Sequence, residues 1–559
     1  MRLVYWALLI HPACMQLDPT DGPRSLKRQT LLLYALALCA LVVYLAMNSL
    51  MVVALAEDFA TRGFAKSLIY ILWIVCGFIT FSAVVLTARL PVLAVVVLLS
   101  CVSVSTNYAY AHIARRDITP DLMEWMAHEV SQFKHAWVEF MPEILDGTVR
   151  AAGLIVLFLV IRAVIRSRRL WLSHIADHPR ARAIALGAFL VFHGGTMALQ
   201  PSYTVAEANV FTFGVPALMS GTPGTRKVTH GPPGPPRAQK IVFIIDESVG
   251  HKIYAEVIAP QLRDLPIVDF GESASISTCS ASSNALLRWG LEKASIGQPG
   301  YDPRTNPTIW GYAKAAGFRT TLIDGQSKGA TQNFVTVEEL ALIDHFVGAD
   351  IGIETDRRIA ATLKERLSQP GRELIYVVKR GAHFPYEANY PPGTLAYDAP
   401  KKAKYAAAVS YATNGFFAAL TEQLPLTDLL LIYTSDHGQN LDARAVHCSD
   451  EHHPEEYSTP LVVLNEAPQM RHLLQGAVER MRDRTSHLNV FPTLLYGLGY
   501  ERDWIEATYG PTLAGPPTPY VTLAWHLPYP TRRKLVVEFA QTESFPGRHA
   551  ARPKTDSAR

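Results

Sequence analysis

Hydrophobic and polar positions divide the chain unevenly. Long apolar runs fill roughly the first two hundred residues, and beyond them short β-branched runs alternate with segments of helical period. Five runs are long enough, or nearly so, to cross a bilayer, which takes roughly 20 residues of helix. They lie at Gln29–Asn48, Ser67–Thr87, Leu90–Ile113, Ala151–Val164 and Ala183–Gln200. Each is flanked by Arg or Lys, which sets them apart from buried core helices. The fourth carries Arg162 near its end, where a long side chain can snorkel to the interface. The first run follows a polar stretch and has no small-residue cleavage site, so it reads as an anchor rather than a signal peptide, with Met15 a second candidate start.

Basic residues orient these spans. Arg24, Lys27 and Arg28 precede the first, Arg89 sits in the second loop, and RSRRLWLSHIADHPRAR follows the fourth. All lie on one side of a five-span bundle. The first and third loops, EDFATRG and DITPDLMEWMAHE, carry acids that offset their bases, and Arg115 and Arg116 are outnumbered. The positive-inside rule then puts the N-terminus inside and everything after Gln200 outside. The segment Asp117–Asp146 is amphipathic, with Met123, Trp125, Met126, Phe133, Trp137 and Phe140. It suits the membrane interface and packing against an outer domain equally well.

A Pro/Gly hinge, GPPGPPRAQK, ends the connecting segment. After it come the strand-like runs IVFIID, TTLID, ELIYVVK, DLLLIYTSD and TPLVVL. Helical patterns fall at Asn284–Lys293, Pro307–Ala316, Asp356–Leu367, Lys401–Leu424 and Asn489–Leu498. This alternation predicts an α/β domain with a mostly parallel sheet covered on both faces. The expected partition is 1–28 cytoplasmic, 29–200 transmembrane, 201–240 connecting, 241–540 catalytic and 541–559 a polar tail. Composition agrees with the split: charged residues are 18% and mean hydropathy is +0.12. A net charge of +3 gives no reason to expect nucleic acid as a partner. Of six cysteines, Cys14, Cys39, Cys76 and Cys101 fall in or near apolar runs. Cys279 and Cys448 remain for one bridge in an oxidising compartment.

In open α/β sheets the active groups collect past the carboxyl ends of strands. IVFIID runs into Glu247 and Ser248, and DLLLIYTS into Asp436-His437-Gly438. ELIYVVK precedes Arg380-Gly381-Ala382-His383, and TTLID precedes Gly325-Gln326-Ser327-Lys328-Gly329. Taken singly, Glu247 reads equally well as a strand-end cap and Asp436-His437-Gly438 as a polar turn. Together they form a carboxylate and imidazole set of the kind that holds zinc. SISTCSASSNALLRWGLEKA supplies a hydroxyl-rich turn opening a helix, the setting for an activated nucleophile, with Ser277, Thr278, Ser280, Ser282 and Ser283 all available.

At these residues the chain resembles the phosphoethanolamine transferases that modify lipid A and related glycans, within the alkaline-phosphatase/sulfatase superfamily. The likeness runs from about Gln29 to Tyr500. IVFIIDES looks like the family's first strand, which makes Glu247 a metal ligand by analogy. TSDHGQNL looks like its Asp-His-Gly-Glu-Ser-Leu motif, which does the same for Asp436 and His437. GAHFPYEANYP is similar to Gly-Ser-His-Gly-Pro-x-Tyr-Tyr-x-x-Tyr-Pro, so His383 inherits the place of a histidine near the substrate phosphate. DGQSKG resembles the segment that puts Gln326 and Lys328 beside the donor head group. His447 fits the last histidine, before the strand TPLVVL, better than His452 or His453. SHLNVFPTLLYGLGY is like the closing helix. The family's nucleophile is a threonine four residues after a cysteine in Cys-Gly-Thr-x-Thr-Ala. That register falls on Ser283, with Ser280 or Thr278 in its place if the turn is built differently. Well-studied members also carry several external disulfides, where this chain has cysteines for one.

The resemblance implies a five-span transmembrane domain followed by a sulfatase-like α/β/α periplasmic domain, in a multi-pass protein of the inner membrane. It implies one or two Zn2+ ions, phosphatidylethanolamine as lipid donor and lipid A or another envelope glycan as acceptor. A glycerol-phosphate transferase or phosphatase shares the same cradle, and a non-catalytic membrane scaffold with this fold is a further alternative. A formylglycine sulfatase would need Cys-x-Pro-Ser-Arg, and CSASS has neither the Pro nor the Arg.

Overall fold

The computed structural model describes residues 23–49, 51–52, 64–114, 140–168, 170–199, 204–219, 225–229 and 234–296. It continues through 298, 301–329, 332–383, 385–422, 428–442, 446–447, 453–465, 467–517, 520–524 and 536–540, with Ile118, Met123 and Trp137. Cys14, most of the amphipathic segment 117–139, Gln200, Cys448, His452 and the tail 541–559 lie outside the described residues. Contacts divide the chain into two compact units that part between Gly221 and Thr222.

The N-terminal unit contains helices α1 (Pro23–Met47), α2 (Phe64–Thr87), α3 (Leu90–Ala114), α4 (Met141–Ser167), α5 (Trp171–Asp177), α6 (Pro179–Leu199) and α7 (Asn209–Met219). Five of them, α1 to α4 and α6, are long and apolar enough to cross a membrane. The fourth is longer than its apolar core suggests, starting at Met141 instead of Ala151. Proline at the second position and Glu143 in the first turn suit a helix start.

Arg162 takes a different role from the snorkelling its position suggests. The last carbonyls of a helix have no partner within it and carry partial negative charge. In α2 those carbonyls meet arginines. Arg162 donates to Val85 O and to Ala88 O, the latter at 2.9 Å. Arg166 reaches Leu86 O at 3.1 Å and Arg182 reaches Thr87 O at 3.2 Å. Asp177 pairs with both Arg166 and Arg182.

The chain after α6 folds back onto the spans. Tyr44 donates to Glu207 at 2.6 Å, Asn48 accepts from Ala206 N at 2.7 Å, and Asn107 and Asn209 exchange bonds of 2.6 Å. The first part of the expected connecting segment 201–240 therefore packs within the membrane unit.

In the second unit an eight-stranded sheet comprises β1 (Lys240–Asp246), β2 (Ile267–Ala274), β3 (Arg319–Asp324), β4 (His345–Gly348), β5 (Glu373–Val378), β6 (Leu429–Ser435), β7 (Ser458–Asn465) and β8 (Thr485–Ser486). Their order is β4-β3-β5-β1-β6-β7-β2-β8, and only β7 runs against its neighbours. Because side chains alternate along a strand, the sheet feeds two cores. Ile241, Phe243, Ile245, Leu374, Tyr376 and Ile432 enter one. Val242, Ile244, Ile375, Val377, Leu431 and Tyr433 enter the other. Burial of each such side chain stabilises the fold by about 1.5–3 kcal/mol, and this two-sided burial is what the apolar runs predicted.

The sequence pattern misses several elements, β2, β4 and β8 among them. β2 is interrupted by Asp269 and Glu272, between which its register slips in a bulge. Gly271 there has φ +74°, and a Cβ would lie 2.2 Å from Asp483 Oδ1. Nor does the sequence pattern predict the helix Pro468–Met481. The helix expected at Lys401–Leu424 is broken by a π-turn, Ser410–Asn414, between Lys401–Val409 and Gly415–Thr421. A π-turn inserts an extra residue and re-aims its side chains, and here it turns Thr413 inward.

Replacing Arg162 with Leu should leave carbonyls of α2 bare in apolar surroundings, at a cost of about 1–3 kcal/mol for each group. The thermal midpoint of the detergent-solubilised protein should drop, with Arg162→Lys recovering part of it. A wild-type midpoint for Arg162→Leu would show that the cap contributes nothing.

Candidate metal centre and active site

The parallel register brings the chemistry together. Asp246 pairs with Ser435 across β1 and β6, and Ile245 with Val378 across β1 and β5. Glu247, Asp436 and Lys379 therefore leave the sheet side by side. Ser248 turns the chain at φ 63°, a left-handed conformation uncommon for a non-glycine residue. Three bonds hold it there. Its N–H donates to Asp436 Oδ1 at 2.9 Å, its hydroxyl to Glu247 Oε1 at 2.8 Å, and Tyr405 donates to its carbonyl at 2.7 Å. Gly381, at φ +54°, passes so close that a Cβ would lie 2.4 Å from Asp246 Oδ1 and 2.8 Å from Glu247 N. Only glycine fits.

Glu247, Asp436 and His437 are buried, and each offers a ligand atom within 4.8 Å of the others. Asp436 Oδ1 accepts from Ser248 N and His437 N, yet Oδ2 is buried without a hydrogen-bond partner. His437 Nδ1 lies 2.8 Å from the carbonyl of Gly438. A carbonyl only accepts, so Nδ1 carries the proton and Nε2 presents its lone pair. Nε2 lies 3.5 Å from Asp436 Oδ2 and 3.9 Å from Glu247 Oε1. Burial, and then the charge of Asp436, pushes the Glu247 carboxyl up to about 7. Burial likewise pushes Asp436 up to about 6. Two buried carboxylates, an aligned imidazole and an orphaned oxygen fit a divalent ion of the zinc type.

Beneath the triad lies a charge network that sequence reasoning missed. Lys379 Nζ is 2.5 Å from Asp246 Oδ2 and 3.4 Å from Asp356, all three fully or nearly fully buried. Asp246 Oδ2 also accepts from Thr413 at 3.0 Å and Tyr433 at 2.8 Å, while its Oδ1 accepts from Glu247 N at 2.9 Å. Asp356 accepts from Arg380 N and Gly381 N. A lysine ending an apolar strand was the one available signal. His487 is a second such residue. Burial holds it neutral, with its pKa pushed down to about 3, and its Nδ1 takes the N–H of Ile276 at 3.3 Å.

The hydroxyl turn separates its candidates. Ser280, at the start of helix α8 (Ser280–Trp289), places Oγ 3.0 Å from His437 Nε2 and 3.1 Å from Glu247 Oε1. Ser283, favoured by register, is fully buried and donates to the carbonyls of Asp436 at 2.6 Å and Ser277 at 3.2 Å. Its hydroxyl thus braces the turn and faces main chain. Thr278 is buried, and among the described residues its hydroxyl makes no bond to the triad. The helix starts at Ser280, with Cys279 as its N-cap, one helical turn before the Asn284 start that the sequence pattern predicts.

The substrate residues divide similarly. Gln326 donates to Glu247 Oε2 at 2.7 Å and accepts from Asn333 at 3.1 Å, so it orients the ligand carboxylate. His383 lies close enough to favour the charged form of Glu247. His447 stacks on His437 with ring centroids 4.4 Å apart. The Lys328 side chain is 60% exposed and its amine pairs with Asp350, whose side chain is 84% exposed, at 3.5 Å. Cys279 is disulfide-bonded.

The sulfatase family model matches residues 242–500, which include all of these groups. Those residues form a sulfatase-family domain. The spans and the sulfatase domain together are similar in fold to the integral membrane lipooligosaccharide phosphoethanolamine transferase A (EptA) of Neisseria meningitidis. Identity is 15%, the match covers 85% of this chain and 98% of that one, and the TM-score is 0.52. The C-terminal periplasmic domain of Escherichia coli EptC is similar over 58% of this chain and 97% of its own, at 18% identity and TM-score 0.44. Among curated protein sequences no relative matches.

The raised carboxyls of the sulfatase domain set a pH dependence. Their ordinary values are 4.5 and 3.8, and the folded metal-free protein raises them to about 7 and about 6. The folded state therefore holds more protons than the unfolded chain between those limits. This contribution is fully present at pH below the ordinary values and is lost as pH rises towards 7. Zinc should stabilise more at pH 8, where it displaces fewer protons, than at pH 5.5. Thermal midpoints of the full chain with chelator and with zinc test this at the two pH values, and equal zinc shifts would sink it.

Proposed function

We propose that this chain is a membrane-bound phosphoethanolamine transferase, with its sulfatase domain on the periplasmic side of the inner membrane. The observation that carries the reading is Ser280 Oγ, poised at a helix N-terminus 3.0 Å from His437 Nε2 and 3.1 Å from Glu247 Oε1. Glu247, Asp436 and His437 would hold the zinc ion. When bound, zinc supplies positive charge that favours the ionised serine and the developing phosphoryl oxyanion.

Ser280 Oγ attacks the phosphorus of phosphatidylethanolamine. A serine O–P bond forms and the P–O bond to diacylglycerol breaks with its electron pair. That oxygen takes up a proton, replacing the one the serine released. An oxygen of a hydroxyl or phosphate of lipid A or another envelope glycan then attacks the same phosphorus, the serine O–P bond breaks with its electron pair, and Ser280 takes up a proton in place of the one the acceptor gives up. The helix dipole favours the ionised hydroxyl, and His383 and His447 flank the transferring group. Gln326 and Ser248 hold the two Glu247 oxygens in place throughout. Anchoring beside a lipid donor makes physical sense, because confinement to the bilayer raises its effective concentration.

The test is to incubate detergent-purified protein with head-group-labelled phosphatidylethanolamine and no acceptor, then map adducts on Ser277–Arg288. A chelator-sensitive adduct on Ser280 is expected, abolished by Ser280→Ala and retained by Ser283→Ala. An adduct on Ser283 would reject the assignment. An adduct from phosphatidylglycerol alone would move the chain to glycerol-phosphate transfer, and none from either lipid would favour a scaffold.

A further inference from the structure

The transferring phosphoryl group gains negative charge as it is attacked, and the triad already brings two carboxylates to the same place. A fixed protein cation, in addition to the metal ion, would offset that charge. Two lysines near the sheet edge do not serve. Lys379 is fully buried and spent on Asp246 and Asp356, and Lys328 reaches out to Asp350 at the surface. Arg380 remains. It is the residue directly after Lys379, half-buried, and leaves β5 level with Glu247, since Ile245 pairs with Val378.

Its setting is built. The main-chain N–H is fixed on Asp356 Oδ1 at 2.9 Å, and the guanidinium Nε on Asn389 Oδ1 at 3.0 Å. Asn389 turns its own amide onto the carbonyls of His383 and Pro385, the latter at 3.3 Å. Guanidinium and His383 turn are thus held as one piece. Asp356 and Glu247 act on Arg380 electrostatically. Among the described residues, however, neither terminal nitrogen has a hydrogen-bond acceptor or a carboxylate within ion-pair distance.

We propose that Arg380 grips the non-bridging phosphoryl oxygens of the substrate. A planar fork anchored at Nε leaves its two terminal nitrogens free to bond two oxygens of one phosphate, which a lysine cannot match. The inference rests on the reading of this site as one for phosphoryl transfer, and it does not depend on the identity of the lipid.

The test uses zinc-loaded full-length protein in detergent, with inorganic phosphate as the probe and calorimetry as the readout. Arg380→Gln should weaken phosphate binding about tenfold to a hundredfold with zinc affinity and melting midpoint unchanged. Arg380→Lys should recover part of the loss, and Asn389→Ala should show a smaller one. Wild-type phosphate affinity in Arg380→Gln, a parallel loss of zinc, no phosphate binding by the wild type, or a loss in Lys328→Ala instead would each overturn the proposal. The adduct experiment separates the two readings. Phosphate binding that depends on Arg380 without an adduct from phosphatidylethanolamine keeps this proposal and rejects the donor, and an adduct with unaltered phosphate binding does the reverse.

Discussion

The buried contact between Lys379 and Asp246 is the constraint on which the site depends. Taking ions out of water costs several kcal/mol each, and only close pairing with full hydrogen bonding offsets it. Asp246 meets that demand with Lys379, Thr413, Tyr433 and the N–H of Glu247. Lys379 extends the network to Asp356, which binds the main chain of Arg380 and Gly381. One set of buried charges therefore fixes the ends of β1 and β5 together. Truncating either partner would leave the other charge stranded, so the geometry above it is rigid.

Rigidity lets the layer above store strain. Ser248 in a left-handed conformation and Gly381 against Asp246 are held by their surroundings. The result is a pair of carboxylates with a shared demand for positive charge, visible in the raised values of Glu247 and Asp436 and in the bare Asp436 oxygen. His487 supports the hydroxyl turn from below without adding charge, because burial keeps it neutral.

The membrane unit obeys the same rule by other means. Carbonyls at the end of α2 are met by three arginines, and the polar segment after α6 is met by Tyr44, Asn48, Ser103 and Asn107. Polar groups in apolar surroundings must be satisfied within the protein. That requirement gives Arg162 a structural partner in place of solvent.

By itself the sequence determined the five apolar helices, the two-sided parallel sheet and the triad Glu247, Asp436 and His437, because hydrophobic period and strand-end placement are local signals. It hid β2, whose Asp269, Gly271 and Glu272 break the alternation and whose partner β7 comes late in the chain. Only the tertiary structure separates Ser280, whose hydroxyl meets the triad, from Ser283, whose hydroxyl faces main chain, since that depends on which face of α8 is turned to the triad. It likewise pairs Lys328 with Asp350 and buries Lys379, because a lysine's partners are set by packing of residues distant in sequence and not by the motif around it.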